Sequence, residues 1–490
     1  MTIELSSITF TNQADIVPES GEEVILNTGI ANTLAGNDTI TGMGPFDFNK
    51  PNSGNGIYNT GTLNTAEGND IITGTGDEAG IYNTGTLNTA EGKDIITGSG
   101  NYVGIYNTGT LNTGEGKDII TGGNVSSVAS GIRNEGTFNT AEGDDIITAE
   151  GGWSVGGLDN SGTFNMGEGN DIIRGSGGQR GISHSGTFNT GEGNDSISGG
   201  SIYEGISTGS GSIIDTGNGN DIISGGGGQG TGISNASFTF NTGDGNDTIE
   251  GSGNFTGIYN TGLINTGNGK DTILAYGGTN YGVGRGLSNF STIDTGDGED
   301  IITATGGIEN NGTIYTGDGD DTITGSGGSS YWGNVRSGII SNKGTIDTGN
   351  GKDSIIADGL IIGTDGTINT GDGKDIITSS KDILNDGTIN TGNGADSIIA
   401  NGGFSGMGSV FLENGKDYLK GFGTGNFNGG NNQDTLELTS GSYTVGISGT
   451  TVSFTKSGVI MYTSEFEKLI AGNTTHDFTS LMDSQTIVVP

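Results

Sequence analysis

An all-β parallel solenoid is the fold class this sequence predicts, and three observations predict it. A glycine-flanked aspartate returns every 21 to 32 residues along most of the chain. Three apolar positions keep fixed distances from that aspartate. The 490 residues include 103 glycines and only 29% hydrophobic residues, too few for several compact cores yet too regularly placed for disorder. Repeats resolve the conflict, because each needs only a thin slice of shared core.

The repeat aligns on Asp38, Asp70, Asp94, Asp118, Asp145, Asp171, Asp195, Asp221, Asp247, Asp271, Asp300, Asp321, Asp353, Asp375, Asp396 and Asp417, each following a glycine and one further residue. Two positions after the aspartate stands an aliphatic residue, from Ile40, Ile72 and Ile96 to Ile398 and Leu419. Seven before it stand Leu63, Leu87, Leu111, Phe138, Phe164, Phe188, Ile214, Phe240 and Ile264, a pattern that persists to Ile389. Thirteen before it stand Ile57, Ile81, Ile105, Ile132, Leu158 and Ile182, with a break near Thr208 and resumption at Ile258. Inward apolar residues separated by polar or glycine steps suit three short strands per repeat, and no helical spacing runs long enough to compete. Stacked repeats give a β-helix or β-roll of about sixteen coils, one per aspartate, expected to be three-sided and right-handed.

Length varies mainly in one segment, so the connections at Gly42–Gly56, Gly122–Gly131 and Gly325–Gly338 are expected to bulge from one edge. Eleven before the aspartate, Asn59, Asn83, Asn107, Asn134, Asn160, Asn260, Asn289, Asn310, Asn342 and Asn385 read as an amide ladder at a corner, with His184 substituting in the same slot. Open strand edges invite end-to-end pairing, so caps are expected at 1–35 and, rich in β-structure, at 418–490, around repeats at 36–417.

A net charge of −40 argues against nucleic acid and anionic lipid as partners and calls for bound cations to offset self-repulsion. With no cysteine, disulfides and thiolate metal sites are excluded. No apolar run approaches the ~18 residues of a membrane span. The opening MTIELSSITFTNQ does not read as a cleavable secretion signal. Catalysis is not expected: there are two histidines, no nucleophile elbow, no H-E-x-x-H and no phosphate loop. Arg133, Arg174, Arg180, Arg285 and Arg336 fall mostly in variable segments and share no face.

The loop before each aspartate reads T-[G/A]-[E/D/N]-G-x-D, as in TGEGKD at Thr113–Asp118 and TGDGND at Thr242–Asp247. Its glycines allow conformations that turn carbonyls toward one point. Carboxylates stacked ~5 Å apart repel by about 1 kcal/mol in water and several times that at an effective dielectric of 20, unless a hard cation lies between them. Calcium tolerates mixtures of carboxylate and carbonyl oxygens that magnesium does not. The acidic residue three before the aspartate, such as Glu67 or Glu115, is expected to face water.

From about Gly36 to Asp434 these loops resemble the repeats-in-toxin (RTX), or haemolysin-type, family, whose G-G-x-G-x-D-x-U-x nonapeptide binds calcium in a parallel β-roll. The resemblance implies that the sixteen aspartates are side-chain ligands, with backbone carbonyls from Thr113, Gly114, Gly116 and equivalent loop positions. Two departures stand out. Threonine usually replaces the first glycine, and one loop per coil implies a single calcium column, about one ion per coil. The stretch from NNQDTLEL to the end resembles the C-terminal regions of RTX exoproteins, particularly cyanobacterial ones. That implies a bacterial extracellular or cell-surface protein exported by type I secretion without a cleaved signal.

Two outward rows complete the reading. Thr62, Thr86, Thr110, Thr137, Thr163 and Thr187 run beside Asn64, Asn88, Asn112, Asn139, Asn165, Asn189 and Asp215, an array that resembles the ice-binding faces of some repeat proteins. Ile71, Ile95, Ile119, Ile146 and Ile172 would form an apolar stripe, and such patches mark interaction sites. The expected function is a calcium-dependent structural surface protein that self-associates into a layer, sheath or fibril through the isoleucine row or the rod ends. The alternative is an adhesin, with cell-surface glycans as possible ligands, or an ice-binding module using the Thr/Asn face.

Overall fold

The computed structural model describes residues 2–18, 23–45, 54–124, 126–278, 284–327 and 339–490. Two compact units divide the chain, Met1–Asn254 and Phe255–Pro490. Both are parallel β-solenoids, and the only helices among the described residues are the single 3-10 turns Leu5–Ser7 and Phe478–Ser480. Of the connections expected to bulge, residues 46–53, 125 and 328–338, with Arg336 among them, lie outside the described residues.

One coil of the first unit shows the plan. A third-face strand, Val103–Asn107, turns a corner into the first-face strand Thr110–Asn112. The loop Thr113–Asp118 follows, and then the second-face strand Ile119–Asn124. The solenoid is therefore three-sided. Each strand pairs in parallel with its equivalent in the next coil without slippage: Ile81 with Ile105, Leu87 with Leu111, Ile96 with Ile120. The register is fixed because a one-residue slip would turn every inward side chain to solvent. Ile105, Leu111 and Ile120 are fully buried, and each such side chain contributes ~1.5–3 kcal/mol. In the middle of the first unit Phe138, Phe164 and Phe188 stack in the core with ring centroids 4.7 and 5.2 Å apart.

The break expected near Thr208 is not a gap. Ile206 continues the buried column, pairing with Ile182 and Ile233. Eight residues rather than six separate it from the next inward position, Ile214, so the corner is longer while the strand stays in register.

The asparagine corner is a ladder as expected. Asn59 donates to Asn83 Oδ1 (2.7 Å), Asn83 to Asn107 (2.8 Å), Asn107 to Asn134 (2.9 Å) and Asn134 to Asn160 (2.9 Å). In the second unit Asn260, Asn289, Asn310 and Asn342 repeat the pattern at 2.8 Å. His184 takes the slot in its own coil: Asn160 Nδ2 donates to its Nδ1 (3.2 Å), and its Nε2–H donates to the Ile213 carbonyl (3.0 Å). Burial pushes its pKa down to about 4, which keeps the ring neutral and suited to that pair of bonds.

The ends join the same scheme. Thr2–Glu4 pairs with Val24–Asn27, and Ile16–Val17 with the start of Thr39–Gly44, so the N-terminal residues already form a coil. At the other end Tyr418–Lys420, Gly425–Asn428 and Thr435–Leu438 continue the stack, and an antiparallel meander of Gly441–Ser448, Thr451–Lys456 and Val459–Ser464 closes it. Tyr443 and Phe454 fill its interior.

Coil spacing leaves no room for a Cβ at the glycine two before the aspartate. At Gly116 (φ +154°) an added Cβ would stand 1.5 Å from the carbonyl oxygen of Gly92, whereas at Gly200 it would meet nothing within 4 Å. Gly116→Ala should therefore lower stability by at least ~3 kcal/mol and Gly200→Ala by less than ~1 kcal/mol. Urea unfolding of the two variants checks this, and equal midpoints would contradict it.

Candidate metal centre

The turn from first to second face places threonine and aspartate side chains inside the coil. The residue four before the aspartate adopts left-handed backbone, for example Gly114 (φ +86°) or Ala90 (φ +65°), and the chain then reverses through the glycine two before it. Two side chains turn inward as a result: the threonine five before, such as Thr89, Thr113 and Thr140, and the aspartate itself, all buried. Glu67, Glu91, Glu115 and Asp244 face water, as expected.

Every aspartate in the column is at most 1% exposed. In the first unit each backbone N–H from Asp38 to Asp221 donates to Oδ1 of the next coil's aspartate, at 2.7 to 2.8 Å. The second unit repeats this from Asp271 to Asp417 at 2.8 to 2.9 Å. Both ends are closed. The Asp15 N–H donates to Asp38 Oδ1 (2.8 Å), and the Asp434 N–H donates to Glu467 Oε2 (2.7 Å).

The second carboxylate oxygen is less well served. Oδ2 of Asp70, Asp94, Asp118, Asp145, Asp171, Asp195 and Asp221 is buried without a hydrogen-bond partner, as is that of Asp300, Asp321, Asp375, Asp396 and Asp417. The nearby threonine hydroxyl has one proton and often spends it elsewhere: Thr89 donates to the Thr113 carbonyl (3.2 Å) and Thr140 to the Met166 carbonyl (3.0 Å). Thr33 lies against both Asp38 Oδ2 and the Thr65 carbonyl, and Thr348 donates to Asp353 Oδ2 at 2.7 Å. Burial raises the carboxyl pKa, to about 6 at Asp70, Asp300 and Asp353, about 7 at Asp94, Asp145, Asp221, Asp321, Asp396 and Asp417, and about 8 at Asp171. The donated amide opposes that rise, and neighbouring carboxylates add to it at several positions, including Asp94, Asp171 and Asp396.

This donor set fits a hard cation. It is all oxygen, it is buried, and it holds anionic atoms without a protein partner in coil after coil. Among the described residues no three acidic or imidazole side chains converge on one point. An ion here would therefore draw on the carboxylates of adjacent coils together with hydroxyl and carbonyl oxygens. Thr113 brings its side chain as well as its carbonyl to the interior, and that carbonyl already accepts from Thr89.

Sequence reasoning stopped the column at Asp417, but Asp434 extends it. Asn432 (φ 91°) stands where other coils have glycine, and the retained signals are the aliphatic residue two positions on, Leu436, and the apolar residue seven before, Phe427. The inward role of the threonine hydroxyls was also missed, although their recurrence five residues before the aspartate was visible. Three of the described arginines form ion pairs. Arg133 pairs with Glu135 (2.6 Å), Arg180 with Glu204 (2.9 Å), and Arg285 with Glu309.

No protein-family model matches the chain, and no curated protein matches it. Among solved structures, the X-ray crystal structure of a hyperactive, Ca2+-dependent, β-helical antifreeze protein from an Antarctic bacterium is similar, at 18% identity over 86% of this chain and 82% of that one, with a TM-score of 0.29. A TM-score that low gives no residue-by-residue correspondence, so no ligand set transfers from it.

The raised pKa values set a direction with pH. A carboxyl whose folded pKa lies above its unfolded value near 3.9 stabilises the fold while protonated and loses that contribution as pH rises through the folded value. In chelator, stability should therefore fall between about pH 4 and pH 8, and Asp145→Asn should flatten part of that slope. Urea unfolding in EDTA at a series of pH values checks it. Stability that holds level or rises across the range would contradict the buried column.

Proposed function

We propose that the protein is an extracellular, calcium-dependent structural solenoid that folds on taking up calcium and then packs laterally. The buried aspartate column carries this reading. Neighbouring coils stand ~4.8 Å apart, and two bare carboxylates at that distance repel by ~3–4 kcal/mol at an effective dielectric of 20. Asp Oδ2, with hydroxyl and carbonyl oxygens of the preceding loop, would hold the ion, and bound calcium would supply the positive charge that lets the column be ionised and buried together. The resemblance of the loops to RTX repeats supports the choice of metal. Folding that depends on calcium also suits export, because a chain that is unfolded at low cytoplasmic calcium folds only where the ion is plentiful.

Lateral packing is supported by the isoleucine row. Ile71, Ile95 and Ile119 are 40%, 38% and 36% exposed and stand in register along the second face, with Ile146 and Ile172 half-buried beyond them. One observation favours a second reading, the binding of ordered water or ice. The Thr/Asn array of the first face is held in register, with Asn88 donating to Asn64 (2.8 Å), Asn139 to Asn112 (2.8 Å) and Asn165 to Asn139 (2.9 Å). Thermal hysteresis without assembly would favour it.

At pH 8, where the column would be largely ionised, chelator-stripped protein should show little β-signal in far-UV circular dichroism, and calcium, but not equimolar magnesium, should restore it cooperatively. A chain equally folded in chelator at pH 8 would overturn the calcium requirement. With calcium present, Ile95→Lys together with Ile119→Lys should leave the β-signal intact and abolish assemblies seen by electron microscopy and sedimentation. Unchanged assembly would overturn the role of the row.

A further inference from the structure

The corner between the second and third faces of the first unit carries side chains that neither the aspartate column nor the isoleucine row uses. Tyr102, Val128, Trp153 and Tyr203 are 67%, 52%, 76% and 46% exposed there. Hydrogen bonds between coils hold this corner in step: Tyr102 N–H to Glu78 O (3.0 Å), Ser130 N–H to Tyr102 O (3.1 Å), Gly152 N–H to Ala129 O (2.7 Å), Gly178 N–H to Gly152 O (2.9 Å) and Ile202 N–H to Gly178 O (3.3 Å). The aromatic rings Tyr102, Trp153 and Tyr203 thus fall on alternate coils, with Val128 and Gln179 in the coils between. Successive rings lie about 10 Å apart along the stack, two strand spacings.

Hydrogen-bonding groups flank the rings. Tyr102 and Val128 line a cleft of about 530 Å³ with Asp77, Glu78, Asn101 and Ser126, and beside Tyr203 lies the Arg180–Glu204 ion pair. Exposed rings scattered singly are ordinary on a protein surface, but these recur at every second coil along one corner of a hydrogen-bonded scaffold. They are separated by polar groups, so they do not form the contiguous apolar patch that a protein partner would cover.

We propose that this edge binds an extended, uncharged, β-linked polysaccharide. Sugar rings present flat C–H faces that stack on aromatic side chains, and hydroxyl edges that bond to carboxylates and amides. In a straight β-linked chain the ring orientation repeats every two sugars, a length comparable with the two-coil spacing of the aromatics. A curling α-linked chain cannot follow a straight row. The net charge of −40, with Asp77 and Glu78 at the cleft, turns away uronate and sulfated chains. The ladder fixes the corner beforehand, so little ordering opposes binding. The proposal needs the solenoid to be folded and depends neither on how calcium acts nor on lateral packing.

The test uses the full chain in millimolar calcium, with its β-signal confirmed first. Trp332→Phe leaves Trp153 as the one tryptophan reporter. Cellohexaose should shift Trp153 emission, hydroxyethyl cellulose in the gel should retard the protein in native electrophoresis, and maltohexaose should do neither. Trp153→Ala should weaken retardation about tenfold, and Tyr102→Ala and Tyr203→Ala each severalfold, with circular dichroism unchanged. Three results would overturn it: no response of the folded protein to either β-linked probe, equal response to maltohexaose, or undiminished retardation of the Trp153→Ala variant.

Discussion

The bond from each aspartate amide to the next coil's carboxylate is the constraint on which the rest of the fold depends. It satisfies a backbone donor at a turn where no strand partner is available, and it does so once per coil with the same two atoms. That fixes the vertical register at the loop, and the inward residues two after and seven before then fall into columns. It also demands close approach, which is why the glycine two before the aspartate cannot carry a side chain. The same bond creates the difficulty the molecule must solve, because an acid held inside by its own neighbours keeps one oxygen without a donor. A proton or a hard cation can meet that need. The net charge of −40 and an all-oxygen donor set favour the cation.

With the interior set by ladders, the exterior is free to vary. Position one after the aspartate runs from isoleucine to threonine, serine and tyrosine with no change in pairing. In the early coils the first face carries Thr/Asn rows, the second carries isoleucines, and the corner between second and third faces carries exposed aromatic rings. Residues that repeat in every coil therefore report on folding, and residues confined to one stretch of coils are where the proposed contacts with other molecules fall.

Much of this was legible in the sequence because a solenoid repeats its signals. Three apolar columns and the asparagine corner were each visible as fixed offsets from the recurring aspartate, whose recurrence was legible but whose burial was not. The departures were local. Ile206 was obscured because two added corner residues moved it off its offset, although its strand kept register. Asp434 was obscured because Asn432 supplies the positive φ that glycine supplies elsewhere. The threonine hydroxyls were overlooked because a loop residue ordinarily faces water, and only the tight turn around a left-handed glycine or alanine drives this one inward. The aromatic corner lies in the variable segment, where spacing counted from the aspartate changes from coil to coil and hides the alternation.

The most direct test of the aspartate column is calorimetric titration of calcium into chelator-stripped protein near pH 6, where a largely protonated column keeps the chain folded, repeated in two buffers of different protonation enthalpy. The pair of titrations counts ions bound and protons released together. Carboxyls poised between about 6 and 8 should bind about one calcium per coil and release protons as they do so. A folded chain that takes up no calcium and releases no protons would contradict the account, and would leave the column as a ladder of neutral acids.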